Sequence, residues 1–212
     1  MKEHISLCAF GGRLTDLEFL SRRIKAGETP VQAVKEIILT SAAEILKLYF
    51  LDGSEVKKRK WAPEQAWHLV KSLAVNDSLR YNEVLLHDFF KSGGEDAIQA
   101  LEQAEMISIV HQNGRPHAIK PGKPVYRAAF ETLTNDKVLK AKMDWDSYKA
   151  LERRNGAEMK KWEEELGVLT AAGITKGRRV DFLWKKIDDS QRKIDDTEKD
   201  MASLKKTLTK YY

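Results

Sequence analysis

The sequence predicts a mainly α-helical chain built from two short helices, a winged helix-turn-helix with a small β-hairpin, and a long antiparallel helical hairpin or coiled coil. Three observations carry this. Only five prolines and twelve glycines punctuate 212 residues, and apolar positions recur at steps of three and four along most of the chain. One stretch near the middle switches to period two around Asn113-Gly114. The last third is two charged segments whose apolar residues step by three, four or seven.

Taken in order, Thr15-Asp16-Leu17-Glu18 reads as a Thr-x-x-Glu capping box, so a first helix starts there and runs to about Ala26, stopped by Gly27. A second box follows at Thr29, with Pro30 at the first helical position and Gln32 three residues after the threonine. Val31, Val34, Ile38, Ala42, Ile45 and Tyr49 form the apolar stripe of that helix, and Asp52-Gly53-Ser54 ends it.

The basic run Lys57-Lys58-Arg59-Lys60 separates this segment from the next. Pro63 opens a helix carrying Ala66, Trp67, Val70 and Leu73, and Asn76-Asp77-Ser78 breaks it. A shorter helix covers about Asn82 to Phe90, and Ser92-Gly93-Gly94-Glu95 starts a third with Ala97, Ile98, Leu101 and Ala104 inward. Ile107 and Ile109 share one strand face, Asn113-Gly114 makes the turn, and Ile119 lies on the return strand, which Pro116 marks as an edge. After Lys120-Pro121-Gly122-Lys123-Pro124, a closing helix carries Val125, Ala129, Phe130 and Leu133. Three helices, a hairpin and a helix in this order fit a winged helix-turn-helix.

From Lys137 the pattern changes. One long helix covers about Val138 to Leu169, with Trp145, Tyr148, Leu151, Met159, Trp162, Leu166 and Leu169 as its seam. The other runs from about Val180, with Trp184, Ile187, Ile194, Met201, Leu204, Leu208 and Tyr211. The link between them is short, which makes them antiparallel neighbours, and Asn155 and Gln191 fall at seam positions where they would fix register. The predicted divisions are thus 1–52, 61–135 and 136–212.

Composition narrows function. One cysteine, Cys8, excludes an internal disulfide, and no apolar run reaches the roughly 20 residues of a membrane helix. No secretory or transit leader is visible at Met1. The sequence has no phosphate-binding Gly-x-x-x-x-Gly-Lys-Ser/Thr loop and no dinucleotide fingerprint, so the expectation is a chain with no catalytic residues, no cofactor and no hydrolysis of its own. His4, His68, His87, His111 and His117 are scattered without metal-ligand spacing, and no metal is expected. The runs Glu163-Glu164-Glu165, Asp188-Asp189 and Asp195-Asp196 read as a solvated helix face.

The net charge of +5 allows attraction to nucleic acid, but its distribution decides. The third helix of the winged unit, which would enter a major groove, holds Glu95, Asp96, Glu102 and Glu105 and no Lys or Arg, leaving Gln99 and Gln103 as its base readers. The wing gathers Arg115, His117, Lys120 and Lys123, with Lys57, Lys58, Arg59 and Lys60 as a second basic group. These are either sequence-independent phosphate contacts or ordinary solubilising charges. Trp145, Trp162 and Trp184 are either the hairpin's own seam or anchors for a protein partner or a second copy.

Several separated blocks add a resemblance. Phe10-Gly11-Gly12-Arg13-Leu14-Thr15-Asp16-Leu17-Glu18, Arg22-Arg23-Ile24-Lys25-Ala26-Gly27-Glu28, Ser78-Leu79-Arg80-Tyr81-Asn82-Glu83-Val84 and Gly114-Arg115-Pro116 through Lys120-Pro121-Gly122-Lys123-Pro124 resemble the C-terminal part of the mitochondrial escape protein 2 family. The resemblance is close over Ile5 to Met143 and looser along the long helices. It implies a fungal protein of the mitochondrial inner membrane, implicated in mitochondrial genome maintenance. By the same resemblance, that protein carries an RNA-recognition domain in the matrix, one membrane span and an AAA-type ATPase, with this portion facing the intermembrane space. It also implies that Gly11 to about Leu51 is the end of the ATPase lid, making the first two helices lid-type. Arg13 then matches a nucleotide-sensing arginine that would act on ATP and Mg bound by the absent ATPase core. The alternative is an arginine paired with Asp16 or Glu18.

The expectation is therefore a non-catalytic C-terminal module that couples lid motion to self-assembly or to a protein partner through the long helices. The rival expectation is a winged helix that binds nucleic acid weakly by its backbone.

Overall fold

The structure is a computed structural model that describes residues 14–50 and 59–210. It divides into two compact units, one through Lys140 and one from Ala141. Helices dominate both, and the sheet is small, antiparallel and three-stranded.

In the first unit, α1 (Leu14–Lys25) begins one residue before Thr15, which therefore lies inside the first turn and is not the residue before the helix. Its end is as expected. Gly27 takes φ 97°, and the Gly27 and Glu28 amides turn back to the Ile24 and Arg23 carbonyls, closing the helix with a left-handed glycine. At α2 (Pro30–Ile45) the expected box is formed in both directions between Thr29 and Gln32. The buried face of α2 is Ala33, Val34, Ile37, Ser41, Ala42 and Ile45, whereas Val31 is exposed. The helix then widens into a π-turn over Leu46–Phe50 that swings Tyr49 inward.

Next come α3 (Pro63–Val75), β1 (Leu79–Arg80), α4 (Tyr81–Leu86), a 3₁₀ turn (Asp88–Phe90), α5 (Gly94–Gln103), β2 (Ile107–Gln112), β3 (Arg115–Pro121) and α6 (Pro124–Asn135). This is the element order expected of a winged helix-turn-helix, with β1 as an addition. Gln65 is buried at the start of α3, where its Oε1 accepts from the Ala62 amide and its Nε2 donates to the Phe89 carbonyl. Both ends of the amide are satisfied, so its burial is not a liability.

The sheet order is β1-β3-β2, with Leu79 opposite Ile119 and Ile109 also opposite Ile119. The return strand β3 is therefore central, not an edge as Pro116 suggested. The two-residue β1 covers only Ala118 and Ile119, so at Pro116 the side lacking an N–H faces no strand, and the register shift between Val110 and His111 absorbs the rest. Gly122 passes so close to the turn before β2 that a Cβ there would lie 2.0 Å from the Glu105 carbonyl oxygen.

The core of this unit holds Trp67, Leu69, Leu73, Ile98, Leu101, Met106, Ile107 and Phe130, all nearly inaccessible. α2 packs on α6, and α6 on α3. Phe50 meets Trp67 edge-on with ring centres 5.9 Å apart. Residues 14–50 and 59–135 thus share one core.

The second unit is the part of α7 (Lys137–Ala171) from Ala141 onward together with α8 (Arg178–Leu208). The two are antiparallel neighbours, since Glu165 meets Arg179, Trp162 meets Phe182 and Tyr148 meets Asp200. Gly173, at φ 80°, ends α7, and the Gly173 and Ile174 amides donate to the Thr170 and Leu169 carbonyls. On α8 the buried positions are Val180, Leu183, Ser190 and Thr197, and on α7 Asn155 is buried as expected. Gln191 is not in the seam: it is exposed and donates to Asp195 on its own helix at 2.8 Å.

Candidate functional site

Two surfaces carry the residues of interest. The first is the wing. Asn113 and Gly114 both take positive φ, 52° and 74°, which is the two-residue turn whose twist suits a β-hairpin. Beside it Arg115, His117 and Lys120 are exposed, and Gln112, Asn113, Arg115, Pro116 and His117 line a hollow of about 510 Å³. Lys123 is engaged within the fold: its Nζ lies 3.5 Å from Glu105 Oε2 and 5.3 Å from the centre of the Tyr126 ring. Burial opposes its charge, but the Tyr126 and Glu105 oxygens outweigh it and raise the lysine's pKa.

Of the basic linker, Lys60 is exposed and Arg59 donates to the Tyr49 carbonyl at 3.5 Å. Lys57 and Lys58 lie outside the described residues, as do Arg13 and Cys8. The outer face of α5 presents Glu95, Asp96, Gln99 and Gln103. Glu102 turns inward to accept from the Ile109 amide at 2.8 Å and so joins α5 to β2. As the sequence indicated, the helix that would enter a groove offers phosphates no cation.

The second surface is the helical hairpin. Trp145 is half-buried, and Trp162 is half-buried against Phe182 with ring centres 6.3 Å apart. Trp184 departs from the expected seam. It is 54% exposed and, with Glu163, Leu166, Gly167, Thr170, Ala171 and Ile187, lines a largely apolar groove of about 530 Å³. The structure does not bring the three tryptophans into one cluster.

A third feature was invisible in the sequence. His68 of α3 stacks on His87 with ring centres 3.7 Å apart, and Phe89 and Phe90 close around them. Burial, then the neighbouring His87, lowers the His68 pKa to about 4, so the ring is neutral near pH 7. The histidines are 19 positions apart on different elements, and no spacing rule pairs them. Among the described residues no group of three or more His, Cys, Asp or Glu is placed to hold a metal ion, and no helix is long and apolar enough to cross a membrane.

The model of the RNA12 protein family matches residues 2–172, the whole first unit and α7. The chain belongs to the RNA12 protein family. Its relatives include mitochondrial escape protein 2 of Phaeosphaeria nodorum, 51% identical over 94% of this chain and 25% of that protein. The same-named proteins of Aspergillus niger and Neurospora crassa are 46% and 40% identical over 94% and 96% of this chain and 24% of each relative. This member of the RNA12 protein family thus spans about a quarter of the length of the curated relatives it matches, and those relatives bear the name of a mitochondrial protein. No solved structure matches the chain.

Proposed function

We propose that this chain is the non-catalytic C-terminal module of a mitochondrial inner-membrane AAA-type protein that serves genome maintenance, with this portion facing the intermembrane space. In this reading α1 and α2 end the ATPase lid, Arg13 reports on ATP and Mg held by the ATPase core, and the winged unit and hairpin pass lid movement to a partner or a second copy. The observation that carries it is the continuity of packing from α2 into the winged unit. The Tyr49 hydroxyl, on the π-turn that ends α2, donates to the Ala104 carbonyl at the end of α5 at 2.6 Å. A displacement of α2 must therefore move α5 or break this part-buried hydrogen bond. The 24–25% coverage of the relatives leaves ample length for the parts this reading requires.

The test has two arms. The purified chain should turn over no ATP; turnover that disappears in Arg13→Ala would overturn the non-catalytic reading. In the full-length protein, amide exchange of α5 should respond to nucleotide, and Tyr49→Phe should uncouple that response. An α5 that ignores nucleotide removes the coupling.

A second reading has its own observation: Arg115, His117 and Lys120 stand exposed around the wing turn. If they hold phosphate backbone, labelled duplex or single-stranded nucleic acid binds at about 50 mM salt, weakens steeply by about 150 mM, and is released when Arg115 and Lys120 are reversed. The anionic face of α5 and the engagement of Lys123 by Glu105 weigh against it.

A further inference from the structure

We propose that the closed end of the helical hairpin is a docking surface for an anionic lipid bilayer. Over residues 166–180 the chain carries Lys176, Arg178 and Arg179 and no acidic residue. Large apolar side chains stand in solvent at the same end: Val168 is 70% exposed, Ile174 48%, Phe182 40% and Trp184 54%. They come from α7, the turn and α8, so they surround the tip and do not line up along one helix face. A partner helix would read one face; an interface that accepts apolar groups from every side is the boundary between headgroups and acyl chains.

The charges fit that occupant. Lys176 and Arg178 are exposed and make no ion pair among the described residues. Lys186 lies over the Phe182 ring at 5.6 Å, and Arg179 lies over the same ring at 5.1 Å while also holding Glu165. Rings flanked by cations are the pattern of side chains that sit at headgroup level, and surface cations are drawn to an anionic leaflet by an attraction that salt screens. The acids at this level are Asp181, Glu165, which Arg179 holds, and Glu163, which shares a groove with Trp184, while Asp188 stands further from the turn. Trp184 is six residues into α8, about 9 Å along its axis, within the roughly 5–10 Å to which interfacial elements enter. Nucleic acid would satisfy the cations but leave Val168 and Ile174 in water.

The test is flotation of the 212-residue chain with vesicles of phosphatidylcholine alone and of phosphatidylcholine mixed with phosphatidylglycerol, with tryptophan emission recorded in parallel. The expected result is binding to the anionic vesicles that falls with salt, at least tenfold weaker binding for Val168→Asp with Ile174→Asp and for Lys176→Glu with Arg178→Glu, and a blue shift that Trp184→Phe removes. These positions are exposed, so circular dichroism should show all three variants folded. Reversing Arg115 and Lys120 should leave vesicle binding intact, which separates this surface from the wing. The proposal is overturned if anionic vesicles fail to bind, if neutral vesicles bind equally, or if the tip substitutions leave binding unchanged. It is equally overturned if those substitutions only dissociate a dimer or release nucleic acid.

Discussion

Tyr49 and Ala104 are 55 residues apart, yet the Tyr49 hydroxyl donates to the Ala104 carbonyl at 2.6 Å, joining the end of α2 to the end of α5. Burial, then the neighbouring Tyr126, raises the phenol's pKa far above its ordinary value, so it keeps its proton and remains a donor at any working pH. Tyr49→Phe keeps the ring against Trp61, with ring centres 6.1 Å apart, and removes the hydroxyl together with its bond to Ala104 and its contact with Tyr126. The expected loss is about 1 kcal/mol, read from the urea midpoint at unchanged slope. Tyr49→Ala should cost about 3 kcal/mol or more, because the ring's volume is lost as well. A Tyr49→Phe protein as stable as the parent would show that the hydroxyl contributes nothing.

Gly122 and Gly114 predict costs of different size and cause from the same substitution. At Gly122 an added Cβ would lie 2.0 Å from Glu105 O and 2.7 Å from its carbonyl carbon, so backbone has to move. Gly122→Ala should cost about 3 kcal/mol or more and disturb the turn into β2. At Gly114 nothing lies within 4 Å, and the penalty is the left-handed backbone alone, about 1 kcal/mol. Thermal unfolding of both variants checks the ranking, and a Gly122→Ala protein no less stable than Gly114→Ala would contradict the close approach.

The stacked pair His68 and His87 sets an acid limit on the first unit. The folded pKa of His68, about 4, lies below the ordinary 6.5, so between these values the unfolded chain binds the proton more readily than the folded one. Stability from this group is therefore full above about pH 6.5, falls as pH drops toward about 4, and changes no further below that. The whole loss is at most about 3 kcal/mol. Urea midpoints at pH 7, 5.5 and 4 should show the decline, and His68→Phe should flatten it. A His68→Phe protein with the parent's pH profile would assign the acid sensitivity elsewhere.

Much of the fold was legible because local chemistry and packing agree. Thr29 with Gln32 must start a helix, Asn113-Gly114 must turn a hairpin, and both do. The strand β1 was not legible, because two residues show no periodicity and exist as strand only through Ala118 and Ile119. The same pairing made β3 central despite Pro116. Trp184 and Gln191 were misplaced for one shared reason: they are seven residues apart, each one residue past the buried positions Leu183 and Ser190. Spacing identifies a heptad, but which neighbouring column faces the other arm is set by the partner. Of the surfaces, the wing cations were readable from sequence, whereas the engagement of Lys123 by Glu105 and the histidine stack depend on elements that meet only after folding.

The hairpin seam supplies the last prediction. Asn155 is 4% exposed and its Nδ2 finds no partner, whereas two other small polar groups of the seam are satisfied within their own helices: Ser147 donates to Met143 O and Thr197 to Lys193 O, each at 2.7 Å. A buried amide donor without an acceptor costs about 1–3 kcal/mol, so Asn155→Leu, which keeps the branched shape and removes the polar atoms, should stabilise the hairpin by about that amount. The cost is tolerated in coiled coils where a polar seam residue rejects wrong registers or wrong partners. If Asn155 has that role here, Asn155→Leu should raise the unfolding temperature and also broaden the oligomer distribution seen by light scattering. Raised stability with an unchanged distribution would remove the specificity role and leave the destabilising amide. Lowered stability would mean that Asn155 holds a partner within the seam after all, and the packing of α7 on α8 would have to be redrawn around it.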